Sequence, residues 1–174
     1  LKAKGPFTLR YPKLLKEWDY KKNINIKPET LLDGSDIKVW WKCSKGHEWD
    51  ATVKNRAGER TSGCPYCSSQ KVGYGNDLET NYPKITLEWN YAKNDDLKPN
   101  ELLPKSNKIV WWICKEGHEY DMRISERTSD HGCKYCRGRS VGYGNDLATQ
   151  NPDLAKEWHR TKNGDLKPSG FTPF

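Results

Sequence analysis

Long apolar runs are absent from this 174-residue chain, and so is a secretory signal pattern. Those absences argue against a membrane span and for a reducing, cytoplasmic setting. Apolar residues are scarce as well: 34% are hydrophobic, 30% are charged, and mean hydropathy is -1.02. A single large core is therefore not expected. Three constellations of enzymes are missing too. There is no repeated pair of acids on an apolar face, no nucleophile beside a plausible base, and no phosphate-binding glycine loop, so the chain does not read as an enzyme. Aromatic residues are not lacking. Eight Trp and nine Tyr are too many for a disordered tail, and suit small units packed around a few large rings. Units of that size need a metal or a disulfide as a staple.

Self-comparison shows how the chain is organised. Glu17-Trp18 returns as Glu88-Trp89 and Glu157-Trp158, Lys27-Pro28 as Lys98-Pro99 and Lys167-Pro168, and Trp40-Trp41 as Trp111-Trp112. The run from Val72 to Leu78 returns as Val141 to Leu147. His47 and His118 are 71 residues apart; Cys64 and Cys133 are 69 apart, after a two-residue deletion in one loop. The expected domains are 1–72, 73–141 and a partial third repeat, 142–174, that stops before any metal ligand. The chain begins at Leu1 and ends inside a repeat, which reads as a fragment of a longer polypeptide.

Six cysteines would permit three disulfides. Four of them, however, form Cys-x2-Cys pairs, and each of the other two stands four residues before a histidine, which disulfides have no use for. The pattern assigns one structural Zn²⁺ to Cys43, His47, Cys64 and Cys67, and another to Cys114, His118, Cys133 and Cys136. Four protein ligands leave no open coordination position. Gly46 and Gly117 supply the turn before each histidine. His131 and His159 read as surface residues, with a second role near Cys133 open for His131.

The fold expected is a small zinc-stabilised α+β module, present twice, each a β-hairpin with a short helix around its zinc. Alternation puts Val39, Trp41 and Cys43 on one inner face and His47, Trp49, Ala51 and Val53 on the other. The second unit repeats this with Val110, Trp112 and Cys114 against His118, Tyr120, Met122 and Ile124. Pro12, Pro83 and Pro152 open short helices, and Asn76-Asp77 and Asn145-Asp146 cap short turns. Trp18, Trp41, Trp89, Trp112 and Trp158 are assigned to the core, and Trp40 to packing against the nearby helix. Tyr74 and Tyr143, between glycines, are assigned as linker anchors.

With Trp40 to His47, Arg56 and Cys64 to Cys67, then Trp111 to His118, Arg127 and Cys133 to Cys136, the chain resembles the bacterial and viral probable zinc-ribbon, or treble-clef, repeat domain. The resemblance covers nearly everything after residue 10. It departs at Tyr120, where the first unit has Trp49, and at Lys134, where it has Pro65. It implies nucleic-acid binding, DNA above all, as an accessory to an endonuclease-like catalytic domain of the same polypeptide.

Net charge is +7; six thiolates remove six charges and two Zn²⁺ restore four, which leaves the zinc-loaded chain near +5. Glu48, Asp50, Glu119 and Asp121 on the outer strand faces would repel phosphate. The expected phosphate-binding residues are Arg56, Arg60, Arg127, Arg137, Arg139, Lys45 and Lys115, with Lys71 nearby. Arg56 and Arg127, present in both units, suit equally the capping of carbonyls near the zinc loop. A zinc-stabilised protein-interaction scaffold is the alternative function.

Overall fold

The computed structural model describes residues 5–57 and 61–173, which divide into two compact units, Leu1–Thr80 and Asn81–Phe174. Among the described residues no helix is long and apolar enough to cross a membrane.

The first unit opens with a helical turn at Phe7–Arg10 and a 3-10 helix at Pro12–Glu17, whose proline occupies the first position, where its missing N–H costs nothing. A second 3-10 turn, Pro28–Thr30, follows. Strand β1, Lys38–Lys42, then pairs antiparallel with β2, Glu48–Thr52, with Trp41 opposite Trp49 and Val39 opposite Ala51. The inner faces are those the alternation indicates: Val39, Trp41 and Trp49 are buried. The strand stops at Thr52, before the Val53 that the alternation includes. The Thr52 hydroxyl accepts the N–H of Asn55 at 3.2 Å and so caps a helical turn, Val53–Arg56, that still buries Val53 completely.

The core is built on three rings. Phe7 stacks on Trp18 at 5.7 Å, and Trp18 meets Trp41 edge-on at 5.5 Å. The indole of Trp41 donates to the carbonyl of Ala51 at 3.1 Å. Burying one such tryptophan removes about 150–250 Å² from water, worth roughly 4–6 kcal/mol before ordering entropy. The open edge of β1 is closed by a side chain. Buried Asn23 donates to the Trp40 carbonyl at 2.8 Å and accepts the Trp40 N–H at 2.9 Å, standing in for a neighbouring strand.

The second unit repeats this plan. Past a turn at Leu78–Asn81, where the first unit ends and the second begins, come helical turns at Pro83–Thr86 and Pro99–Glu101, then β3, Ile109–Ile113, paired with β4, Glu119–Arg123, and a turn at Ile124–Thr128. Trp89 meets Trp112 at 5.4 Å, Trp112 donates to the Met122 carbonyl, and Asn94 clamps Trp111 through two 2.8 Å bonds. Short turns at Leu147–Gln150, Pro152–Lys156 and Pro168–Gly170 complete it.

Two expectations change. Trp40 and Trp111 do not pack on a helix. They lie on the outer faces, 37% and 36% exposed, under Lys22 at 4.0 Å and Lys93 at 4.3 Å. Side chains alternate along a strand, so burying Trp41 and Trp112 sends their neighbours outward. Capping falls to the aspartates alone: Asp77 accepts from Thr80 N at 2.8 Å and Asp146 from Thr149 N at 3.0 Å, while Asn76 and Asn145 serve the metal loops.

Candidate metal centres

Each ligand set is brought together by the hairpin and the loop that follows it. Cys43 leaves the end of β1, and a tight turn delivers His47 just before β2. Gly46, with φ of +86°, and Gly117, with +77°, adopt the left-handed conformation this turn needs. The Cys43 N–H bonds the His47 carbonyl at 3.0 Å, and Cys114 makes the same bond with His118 at 3.1 Å. The second pair lies on one hydrogen-bonded turn, Ser68 N to the Cys64 carbonyl at 3.1 Å, matched by Arg137 N to Cys133 at 3.1 Å. No regular helix extends past that turn before Leu78.

The ligand atoms of Cys43, His47, Cys64 and Cys67 all lie within 4.8 Å of one another, as do those of Cys114, His118, Cys133 and Cys136. Cys43 and Cys67 sulfurs are 3.8 Å apart, and Cys114 and Cys136 sulfurs 3.7 Å. The His47 Nδ1 is 3.4 Å from Cys43, 3.6 Å from Cys64 and 3.4 Å from Cys67. His118 Nδ1 is 3.3 Å from Cys136 and 3.7 Å from Cys133. These separations rule out disulfides and fit the edges of a tetrahedron. Zn–S bonds of about 2.3 Å and Zn–N bonds of about 2.0 Å place sulfurs about 3.8 Å apart and sulfur about 3.5 Å from nitrogen. The donor set fits Zn²⁺ at both centres.

The imidazole orientation is fixed from behind. His47 donates from Nε2 to the Tyr74 carbonyl at 2.7 Å, which leaves the Nδ1 lone pair for the metal. Tyr66 packs against the ring at 5.2 Å. In the second centre, Tyr143 covers His118 at 4.5 Å and its hydroxyl takes the Glu119 N–H at 3.3 Å. Both tyrosines of the Gly-Tyr-Gly segments thus belong to the metal centres. Asn76 holds that segment in place, accepting from Gly73 N at 2.8 Å and donating to the carbonyls of Tyr66 at 2.6 Å and Lys71 at 2.8 Å. Asn145 makes the same three bonds, with Gly142, Tyr135 and Ser140. A Cβ on Gly73 would sit 2.6 Å from the Tyr66 ring, so only glycine permits this approach.

Without a cation the sulfurs oppose one another's ionisation. Burial and the neighbouring Cys43 and Cys64 push the Cys67 thiol up to about 11, and burial with Cys114 and Cys133 pushes Cys136 up to about 12. Cys43 goes the other way: burial raises it, but the backbone N–H groups of Lys45 and His47, with hydrogen bonds from the Cys67 and Cys64 thiols, outweigh that and bring it down to about 7. Zn²⁺ supplies the charge that lets every thiolate of a set form at once.

The arginines fall into two groups. Arg56 is buried, 3% exposed, paired with Glu17, bonded to the Ser62 carbonyl, and 5.1 Å from the centre of the Trp41 ring. Of its two expected roles it takes the carbonyl cap, and no surface is left for phosphate. Arg127 pairs with Glu88 at 2.9 Å and takes neither role; its side chain is 13% exposed. The Tyr120 hydroxyl donates to the same carboxylate at 3.3 Å, and burial, with Glu88 second, raises its pKa. Exposure of Lys45, Lys71, Lys115, Arg137 and Arg139 is as a surface role requires, and Arg137 donates to the Asp130 carbonyl at 2.7 Å. Arg60 lies outside the described residues. His131 is exposed and lies 3.1 Å from the Glu126 carbonyl, and exposed His159 accepts the Lys162 N–H at 3.2 Å.

Two hairpin modules, each closing three cysteines and a histidine around one site, define a tandem structural zinc protein. The chain belongs to the family described as Probable Treble clef zinc finger domain, whose pattern it matches twice, over residues 14–70 and 85–139. No curated protein matches it.

Proposed function

We propose that the chain binds nucleic acid, with DNA the expected ligand, as an accessory array beside a catalytic domain of a larger cytoplasmic protein. The observation that carries this reading is a separation of charge. Lys45 and Lys115 in the zinc turns, and Arg139 beyond the last cysteine, are exposed with no acidic partner among the described residues. The outer-face acids are instead neutralised. Glu48 lies 2.8 Å from Lys22 and 2.9 Å from Lys42, Asp50 3.2 Å from Lys38, Glu119 2.7 Å from Lys93 and Asp121 2.9 Å from Lys134. Bonding to Lys22, then Lys42, pulls Glu48 down to about 2. The repulsion expected of these faces is largely cancelled, and the free cations sit beside the zinc loops. Two modules in series gain affinity through effective concentration. With four protein ligands at each zinc, both ions serve structure and the modules bind rather than catalyse.

Anisotropy titrations of the zinc-loaded protein against duplex DNA, single-stranded DNA and RNA test this at about 50 and about 200 mM salt. Binding that weakens steeply with salt is expected. Combining Lys45→Ala, Lys115→Ala and Arg139→Ala should make the salt slope shallower, by about one for each phosphate left without its cation. Salt-insensitive or absent binding to all three nucleic acids would end the proposal.

Exposure of Trp40 and Trp111 at matching positions favours one alternative, a scaffold for a protein partner. Stoichiometric capture of a protein at high salt, abolished in Trp40→Ala with Trp111→Ala, selects it.

A further inference from the structure

The heptapeptide Val-Gly-Tyr-Gly-Asn-Asp-Leu stands at 72–78 and again at 141–147, and it takes two conformations. Its frame is the same in both. Asn76 N bonds the Gly73 carbonyl at 3.2 Å and Asn145 N bonds the Gly142 carbonyl at 3.3 Å, while the two asparagine amides grip their loops through matching bonds. The tyrosine between the glycines is what differs. Tyr143 lies in the left-handed region, with φ of +55°, and Tyr74 does not.

The two rings accordingly go to different places. Tyr143 is stowed: it lies 4.5 Å from the His118 ring and 5.0 Å from Tyr135, and its hydroxyl takes the Glu119 N–H at 3.3 Å. Tyr74 is deployed. Its ring is 88% exposed and meets no other ring among the described residues, and its carbonyl, not its ring, meets the histidine. The neighbouring tyrosine responds. With Tyr74 out, Tyr66 lies 5.2 Å from His47 at an interplanar angle of 33°; with Tyr143 in, Tyr135 stands 6.0 Å from His118 at 71°.

One sequence held by the same anchors thus reaches both positions, and each carries a cost. The stowed tyrosine adopts a φ uncommon for a bulky residue, and His118 Nε2 makes no hydrogen bond among the described residues. The deployed tyrosine satisfies Nε2 through its carbonyl but leaves an aromatic face in water. That face stands beside exposed cations. Lys45 is two residues before His47 in the zinc turn, and Lys71 is three before Tyr74. A flat ring next to unpaired positive charge is the composition of a platform for single-stranded nucleic acid, in which the cations meet phosphate and the ring meets a base. A duplex keeps its bases stacked within the helix and offers the ring no face.

We propose that the Gly-Tyr-Gly tyrosine is a swinging platform, and that in its deployed position it stacks on an unpaired base of a single nucleic-acid strand. Tyr74 already stands in that position. Tyr143 rests on its histidine until a strand draws it out, and its carbonyl then takes the His118 Nε2–H as Tyr74 takes that of His47. The strand contacts only the deployed ring, so binding shifts the segment toward that form. This rests on the nucleic-acid reading above and narrows it to single strands.

Anisotropy of labelled oligothymidylate, oligouridylate and a duplex of equal length, titrated with the zinc-loaded chain at about 50 mM salt, tests the stacking. Both strands, or the one whose sugar fits, should bind more tightly than the duplex. Tyr74→Ala should weaken strand binding about fivefold or more and leave duplex binding unchanged, while Tyr74→Phe keeps the parent affinity. The variant retains the backbone carbonyl that His47 uses, and two zincs per chain certify it as folded. The swing is read by NMR. The His118 ring protons carry the ring-current shift of Tyr143 in the free chain, and at saturation with strand they should move to where Tyr143→Ala places them. Strand binding indifferent to Tyr74→Ala, or His118 signals that stay in place at saturation, would overturn the inference. Equal, tyrosine-independent affinity for strand and duplex would overturn it while the nucleic-acid reading stands; binding to none of the three would remove both.

Discussion

The backbone carbonyl of Tyr74 accepts the Nε2–H of His47 at 2.7 Å, so a residue seven positions past the last cysteine decides which imidazole nitrogen faces the metal. That carbonyl is placed by the approach of Gly73 to the Tyr66 ring and by the three bonds of Asn76. Replacing Gly73 with alanine drives a methyl group into the ring and shifts the segment. Zinc affinity at the first centre should fall about 10- to 100-fold, the usual scale for losing such support, while the second centre holds its ion. Competition with a chromogenic chelator, reading the two zincs as separate steps, measures this.

Arg56 is a structural cation. Arg56→Ala leaves Glu17 and the Ser62 carbonyl without their donor and opens space beside Trp41 and Trp49. A loss of about 2 kcal/mol in the first unit is expected, below the range for a fully buried pair because the Glu17 side chain, 36% exposed, regains water. Urea unfolding followed by tryptophan fluorescence reads the loss. The folded variant should bind nucleic acid as tightly as the parent chain.

Asn23→Ala removes the side chain that completes the edge of β1 and strands the N–H of Trp40, whose carbonyl keeps only the Asp19 N–H at 3.1 Å. Stability of the first unit should fall by about 1–3 kcal/mol. Amide exchange at Trp40 should quicken by more than exchange at Trp111, whose partner Asn94 is untouched.

Zinc uptake must displace protons. The Cys67 and Cys136 thiols, raised to about 11 and about 12 in the absence of metal, are protonated at neutral pH. Each must lose its proton to bind. Apparent zinc affinity should therefore rise with pH throughout the neutral range, by about tenfold per pH unit for each proton released per site. Titration in a weakly buffered indicator counts the protons directly. An affinity that is flat between pH 6 and about 8 would contradict the sulfur set.

What the chain discloses by sequence and what it conceals divide along a physical line. Ligand identity is written in local spacing, and the inner faces in strict alternation, so the four-residue sets, Trp41, Trp49, Trp112 and Tyr120 are all legible. Burial of a charged side chain is not. Arg56 lies beside Glu17 across 39 residues of chain, a proximity that no local pattern encodes. Trp40 misleads for the opposite reason: its size argues for burial, but the pleat that buries Trp41 turns it outward. Asn76 stands next to a true capping aspartate, and only the fold shows that its amide binds the metal loop instead. Recurrence of Asn23 as Asn94, each 17 residues before the first tryptophan of a Trp-Trp strand, was a signal available in the sequence, since a polar residue at the same place in both modules has a backbone to satisfy.

Metal is what holds each module closed. Elemental analysis of the purified chain, paired with circular dichroism before and after a strong chelator, tests that claim most directly. Two zinc ions per chain, with both modules unfolding as the metal is withdrawn, is the predicted result. Fewer than two zincs, or a chelated protein that keeps its structure, would contradict it.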